Sequence, residues 1–212
     1  MSEFFAFVVR EQDLIISNML RHIYISLLAV FIGTLIAVPL GIWLTRKRKI
    51  ANYILGITGI IQTIPSLVLL GLALIIFGLG VKPALIVLSL YSILPILRNT
   101  YTGISEVDDM YIEAAKGMGM KNIQILYMVE IPLALPVIIA GIRISLIYII
   151  SWATLAALIG AGGLGDLIWT GLASYDKNLI YGGAIPASIL ALVVGALIGF
   201  IQKIATPRGL RR

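Results

Sequence analysis

Long apolar runs separated by short polar intervals set the plan of this chain. Five of them, at about residues 23–44, 50–77, 84–101, 133–159 and 179–204, contain no Asp or Glu. Each is near or above the roughly 20 residues that a helix needs to cross a bilayer. The pattern predicts an all-α bundle of five membrane-spanning helices in a single domain covering residues 1–212, with no internal repeat. Three other parts of the chain stand outside the runs. Residues 1–21 mix Glu3, Arg10, Glu11, Asp13 and Arg21 with Phe4, Phe5, Phe7, Leu14 and Ile15, which predicts an interfacial amphipathic helix rather than a cleaved leader. Residues 105–131 form a polar loop, and residues 205–212 a basic tail.

Polar and small residues within the runs refine the picture. Gly33, Ala37 and Gly41 repeat every four residues in the first, as do Ala191, Gly195 and Gly199 in the last. One smooth helical face in each is suited to close helix packing. The second run is interrupted by Gln62-Thr63-Ile64-Pro65-Ser66. Proline lacks an N–H, and polar groups at membrane depth must face protein or water, so a kinked or broken helix lining a passage is expected there. His22 falls at a predicted membrane boundary, where a polar interface role is the simplest reading. Arg98 near the end of the third run can snorkel or pair with Glu106. Arg143, inside the fourth run, must face protein, water or an acidic partner and reads as a structural or gating residue. Gly160 to Asp166, with four glycines, predicts a mobile outer turn or gate.

Charge orients the bundle. Arg46-Lys47-Arg48-Lys49 closes the first run, and positive residues gather on the cytoplasmic side. With that cluster inside, residues 1–21 lie outside, while the 105–131 loop and the C-terminal tail lie inside. Eleven of the sixteen basic residues then fall on the inner side and four (Arg10, Arg21, Lys82 and Lys177) on the outer, with Arg143 in the membrane. The net charge of +6 is therefore explained by topology, without a nucleic-acid partner. Hydrophobic residues make up 60% of the 212 and charged residues 12%, against about 45–50% and 25% in soluble domains, which excludes an ordinary soluble fold. With no cysteine and one histidine, no metal centre or thiol chemistry is expected.

The 105–131 loop carries the most ordered punctuation. Asp108 and Asp109 mark a helix start, with Ser105 three residues before Asp108 in capping-box spacing. A helix over Met110–Lys116 would end at Gly117 or Gly119, either of which offers a left-handed residue. Asn122 is placed to cap a second helix over Ile123–Glu130, which Pro132 either stops or follows as the first turn of the next. The expected unit is helix, turn, helix between two spans.

Glu113-Ala114-Ala115, three residues, Gly119, nine residues and Val129-x-Ile131-Pro132 resemble the EAA loop of ABC importer permeases. Val129 and Ile131 replace the usual Ile and Leu. The resemblance implies a cytoplasmic coupling loop docking on an ATPase subunit, with Glu113, Ala114, Ala115, Gly119 and Pro132 as its coupling residues. Gln62 to Leu67, Leu94 to Asn99, Gly141 to Arg143 and Gly160 to Gly165 are similar to the osmoprotectant branch of that family, whose members import glycine betaine, carnitine, choline and proline betaine on a MetI-like fold. The expected assembly has two ATP-binding subunits holding ATP and Mg, a second permease subunit of the same or a related sequence, and a separate extracellular substrate-binding protein. No cofactor is expected on this chain itself.

Residue chemistry bounds the alternatives. No GxxxxGK[ST] loop is present to cradle phosphates, and no nucleophile–base arrangement stands out, so the chain reads as a transport subunit rather than an enzyme. An ion-coupled secondary transporter would need acidic residues within its spans, and the five runs have none. That class, an importer of another small amino-acid derivative and a nonconducting scaffold all stay open. For a quaternary ammonium solute, aromatic faces are the natural contact; Tyr91, Tyr148 and Trp152 are the candidates within the runs. Gln62 and Pro65 at the predicted break complete the candidate translocation path.

Overall fold

Apolar segments that must pair every backbone group without water form helices, and the computed structural model of the chain consists of helices and turns over the residues it describes, 2–206. Residues 207–212, including most of the expected basic tail, lie outside that range. The helices are α1 (Ser2–Arg10), α2 (Gln12–Thr45), α3 (Arg48–Thr63), α4 (Ser66–Phe77), α5 (Val81–Ser105), α6 (Asp109–Gly117), α7 (Asn122–Ile125), α8 (Ile131–Ala156), α9 (Leu164–Ser174) and α10 (Lys177–Ala205). A π-helical turn, Leu126–Glu130, joins α7 to α8. A 3-10 turn, Ala157–Ile159, ends α8.

Four continuous helical segments, Gln12–Thr45, Val81–Ser105, Asn122–Ile159 and Lys177–Ala205, are long and apolar enough to cross a membrane, and the bent pair α3–α4 makes a fifth where the pair is counted as one span. Four of the five expected spans are thus continuous helices with different ends, and the second expected span corresponds to the bent pair. α2 starts at Gln12 instead of near Ile23; its 34 residues measure about 51 Å at 1.5 Å per residue. No break occurs at His22, where two tertiary hydrogen bonds hold the helix, although the His22 Nδ1 is buried without a partner. Nε of Arg21 donates to the Ala161 carbonyl at 2.8 Å, and the His22 Nε2 lies 2.9 Å from the Ile150 carbonyl. His22 is fully buried, not at an interface. Of the expected interfacial segment 1–21, only α1 is separate, and it packs on the N-terminal end of α10 through Phe7 beside Gly182 and Phe4 edge-on to Tyr181.

α5 is the centre of the bundle, packed between α2 and α8, while α10 lies against α8 and α9. The small-residue face of α2 serves the close approach expected of it: a Cβ on Gly41 would stand 2.8 Å from Thr100, and one on Gly33 3.2 Å from the Ser89 carbonyl. Ala37 between them is fully buried. On α10, Gly195 meets Ile147 and Gly199 meets the Arg143 guanidinium, so the second stripe also packs on a neighbour. Arg143 forms no ion pair among the described residues, and neither does Arg98 with Glu106.

Two regions differ from expectation in kind. The glycine run is not a loose turn: Ala161 to Gly165 are buried, Arg21 holds the Ala161 carbonyl, and the Gly80 N–H donates to Ile159 at 2.8 Å. Gly162 and Gly163 have φ of +81° and +89° and lie directly on Arg21 and His22. After it comes α9, a helix that the apolar pattern does not predict. Leu164 and Leu167 bury themselves with Ala187 of α10, and Trp169 Nε1 donates to the Thr154 carbonyl at 3.0 Å. Asp176 then caps α10, accepting from Asn178 N at 2.8 Å.

Candidate functional site

The coupling segment begins at Asp108, whose carboxylate accepts the Met110 N–H at 2.9 Å and so caps α6. Ser105 is the last residue of α5, not a cap. At the other end, Met120 N donates to the Ala115 carbonyl at 3.1 Å and Gly119 N to Lys116 at 2.9 Å. This pair of bonds is the Schellman arrangement, which requires a left-handed residue just past the helix; Gly119 supplies it with φ +81°, and Gly117 stays helical. The Lys121 N–H donates to the Gln124 side chain at 2.7 Å, so Asn122 is the first helical residue instead of the cap. The chain then runs through the π turn directly into α8, and Pro132 lies in the first turn of that helix, starting it and stopping nothing.

Exposure sorts the candidate residues. Glu113, Ala114 and Gly119 face outward. Ala115 is 1% exposed and turned toward the bundle, so it supports α6 and is not part of the accessible small-residue surface expected of it. Two positions that sequence reasoning left out, Met110 and Tyr111, are exposed beside Glu113 and Ala114, and Met118 is exposed at the turn. Met110, Glu113, Ala114 and Gly117 fall at i, i+3, i+4 and i+7, on one helical face. That face combines apolar side chains, a carboxylate and low relief, a surface able to seat against another protein.

At the same end of the bundle, a cleft of about 310 Å³ is lined by Arg46 and Arg48 of the basic cluster and by Asp109, Lys116 and Asn122 of the coupling segment. Arg46 also forms an ion pair with Glu130 in the π turn. The two features that sequence assigned independently to one side of the membrane are therefore in contact.

The candidate path residues converge about the break between α3 and α4. These helices meet at 90°, with Ile64 extended at φ −71° and ψ 128°, as expected for a residue before proline. The Tyr91 hydroxyl of α5 donates to the Ile64 carbonyl, one of the groups that the break releases. Tyr91 and Trp152 have ring centroids 4.8 Å apart at 57°, and Trp152 and Tyr148 5.6 Å apart at 31°. Tyr148 and Trp152 are four residues apart on one face of α8, so the three aromatics form one continuous group, buried at Tyr91 and open at Tyr148. Pro65 joins it through Ile64. Gln62, in the last turn of α3, is half-buried and makes no hydrogen bond to the group. Tyr91→Phe is expected to leave the Ile64 carbonyl unpaired and to cost about 1–3 kcal/mol, read as a lower thermal midpoint of the detergent-purified protein; an unchanged midpoint would show that water replaces the hydroxyl.

The family model described as "Binding-protein-dependent transport system inner membrane component" matches residues 30–210. The chain belongs to this family of transport permeases. Among similar proteins, the carnitine transport permease protein OpuCB of Listeria monocytogenes is 51% identical over 90% of this permease and 88% of its own length. The choline transport system permease protein OpuBB of Bacillus subtilis is 52% identical over 91% and 88%. A structure of inward facing conformations of the MetNI methionine ABC transporter aligns with a TM-score of 0.84 at 22% identity, covering 93% of this permease and 99% of that chain. At that identity the likeness bears on fold alone, and it agrees with the expected MetI-like bundle. The permease is a multi-pass inner-membrane component and a transport subunit. Among the described residues no group of His, Cys, Asp or Glu could hold a metal.

Proposed function

We propose that the permease forms the membrane path of an ATP-binding-cassette importer for quaternary ammonium osmoprotectants of the glycine betaine, carnitine and choline type. The observation that carries this reading is the identity of about half, over at least 90% of this chain and 88% of each relative, to permeases named for carnitine and choline. In this assembly a second permease subunit completes the path, two ATP-binding subunits hold ATP and Mg, and a separate extracellular protein delivers the solute. The N-terminus lies outside and residues 105–131 and the tail lie inside. The exposed face of α6, with Glu113 and Ala114, seats on the ATP-binding subunit; Ala115, Gly119 and Pro132 hold that helix in place. Closure of the ATP-binding pair moves the coupling segments, which reorients the spans.

Within the path, Trp152 and Tyr148 offer aromatic faces to a trimethylammonium group as it passes the break at Pro65, and buried Tyr91 backs Trp152. A cation over such faces gains about 0.5–2 kcal/mol, so Trp152→Ala is expected to slow choline uptake about 2- to 30-fold, with Trp152→Phe closer to wild type. Reconstitution with the ATP-binding and receptor subunits tests the whole reading. Uptake of labelled choline or glycine betaine should require internal ATP and be indifferent to collapse of proton and sodium gradients. Gradient-driven uptake without the ATPase would overturn it, and ATP-driven uptake of only unrelated amino-acid derivatives would replace the substrate class.

A further inference from the structure

Glu130 is 3% exposed, although it occupies the last position of the π turn that connects the coupling segment to α8. A buried carboxylate requires a charged or hydrogen-bonding partner, and its partner is Arg46. Arg46 is the residue that ends α2, immediately before Lys47 and the start of α3. The ion pair therefore joins two elements 84 residues apart in sequence: the root of the coupling segment and the elbow from which α3 departs. α6 rests on the π turn and on α7, whereas α3 packs on α2 and α5. Between α6 and the elbow lies the cleft lined by Arg46, Arg48, Asp109 and Lys116, so apolar packing does not weld them together. α3 in turn leads to the break at Ile64 and Pro65, whose released carbonyl Tyr91 holds.

We infer that the Arg46–Glu130 ion pair is the positioning link through which movement of the coupling segment reaches α3 and, along it, the broken helix at the path. The local structure suits that task. A π turn carries one extra residue per turn and its hydrogen bonds run five residues back, here from Ile131 N to the Leu126 carbonyl. Such turns recur at functional positions. A charged contact between half-exposed Arg46 and buried Glu130 follows a moving partner over a range of orientations, which interlocked apolar side chains do not. When the π turn moves with α6, Arg46 is drawn with it, and the elbow Arg46–Lys47 pivots α3 about its packing on α5.

The inference rests on the importer reading, and the test separates the two. Permease variants are assembled with their ATP-binding and receptor subunits in proteoliposomes, and solute uptake and ATP hydrolysis are measured on the same preparations. Arg46→Ala and Glu130→Gln are expected to lower solute moved per ATP hydrolysed about tenfold, within the 5–150-fold range of typical coupling energies, while hydrolysis stays within about twofold of wild type. Arg46→Lys, which keeps the charge, should recover most of the ratio. The double variant should be no worse than either single one, because one link is removed. An unchanged ratio, or parallel loss of uptake and hydrolysis in assembled complexes, would overturn the link. Arg46 is half-exposed, so its variants report even if Glu130→Gln does not assemble. Absence of ATP-driven uptake in the wild-type complex would instead reject the importer reading itself.

Discussion

Gly165→Ala is expected to lower the thermal midpoint of the purified permease by about 6–12 °C, as overpacking of about 3 kcal/mol does in a chain of this size. A Cβ at Gly165 would lie 2.2 Å from the Thr154 carbonyl oxygen and 2.8 Å from the Ala157 Cβ. The obstructing atom is backbone of α8, so no side-chain rotation relieves it, and α9 must lift away. Lifting stretches the Trp169 bond to that same Thr154 carbonyl and loosens Leu164 and Leu167 from Ala187. α10 leaves no room on the other side, where Gly183 lies against the Leu164 carbonyl at a would-be Cβ distance of 2.6 Å. Gly59 is the matched control: it is helical, with nothing within 4 Å of an added Cβ, and Gly59→Ala should leave stability unchanged or raise it by up to about 1 kcal/mol through helix propensity. Unfolding followed by tryptophan fluorescence checks both, and equal shifts for the two would mean that α9 is not wedged between α8 and α10 by glycine.

That wedge also shows why some of the architecture was readable from the chain and some was not. The apolar runs fix the spans because twenty or so apolar residues have one low-energy arrangement in a bilayer, and the break at Pro65 follows from a missing N–H. The Gly33–Ala37–Gly41 face told that α2 packs closely, though not that α5 is its partner. α9 is different: its 11 residues follow a glycine run and include Gly165, Asp166 and Gly171, so local propensity favours a turn. Its helicity comes from contacts with α8 and α10, which no local pattern contains. His22 looked like an interface residue because its partner, the Ile150 carbonyl, is 128 residues away. In the coupling segment the start at Asp108 and the left-handed glycine were legible, since capping is local chemistry. The inward turn of Ala115 and the Arg46–Glu130 pair were not, because each depends on which element lies underneath. The aromatic group is intermediate: residue type marked Tyr91, Tyr148 and Trp152, and only the packing of α5 on α8 made them neighbours.

Gly119 gives the largest expected functional effect with the smallest expected disturbance of the fold. Its φ of +81° lies in the left-handed region, and an added Cβ would have nothing within 4 Å. A substitution there meets no steric obstacle; its cost is backbone strain of about 1–3 kcal/mol for residues other than Gly, Asn and Asp. The chain relieves that strain by giving up the bonds from Met120 N to Ala115 and from Gly119 N to Lys116, which releases the end of α6 from its fixed angle to α7. ATP-driven uptake in the reconstituted complex should therefore fall about 5-fold in Gly119→Ala and up to about 150-fold in Gly119→Val, the range to which 1–3 kcal/mol corresponds. The thermal midpoint of the permease should barely change, because the spans are untouched. Gly117→Ala provides the contrast: Gly117 is equally exposed and unobstructed but helical, so the added methyl strains no backbone and any loss of uptake there reports relief added to the docking face. Asp is tolerated in the left-handed region better than Val. A loss in Gly119→Asp greater than in Gly119→Ala therefore reports the new negative charge beside Glu113 and Ala114 on the docking face, separating the turn's geometry from the partner's electrostatics. Uptake equal to wild type in Gly119→Val would show that the left-handed turn does not set the position of the coupling helix.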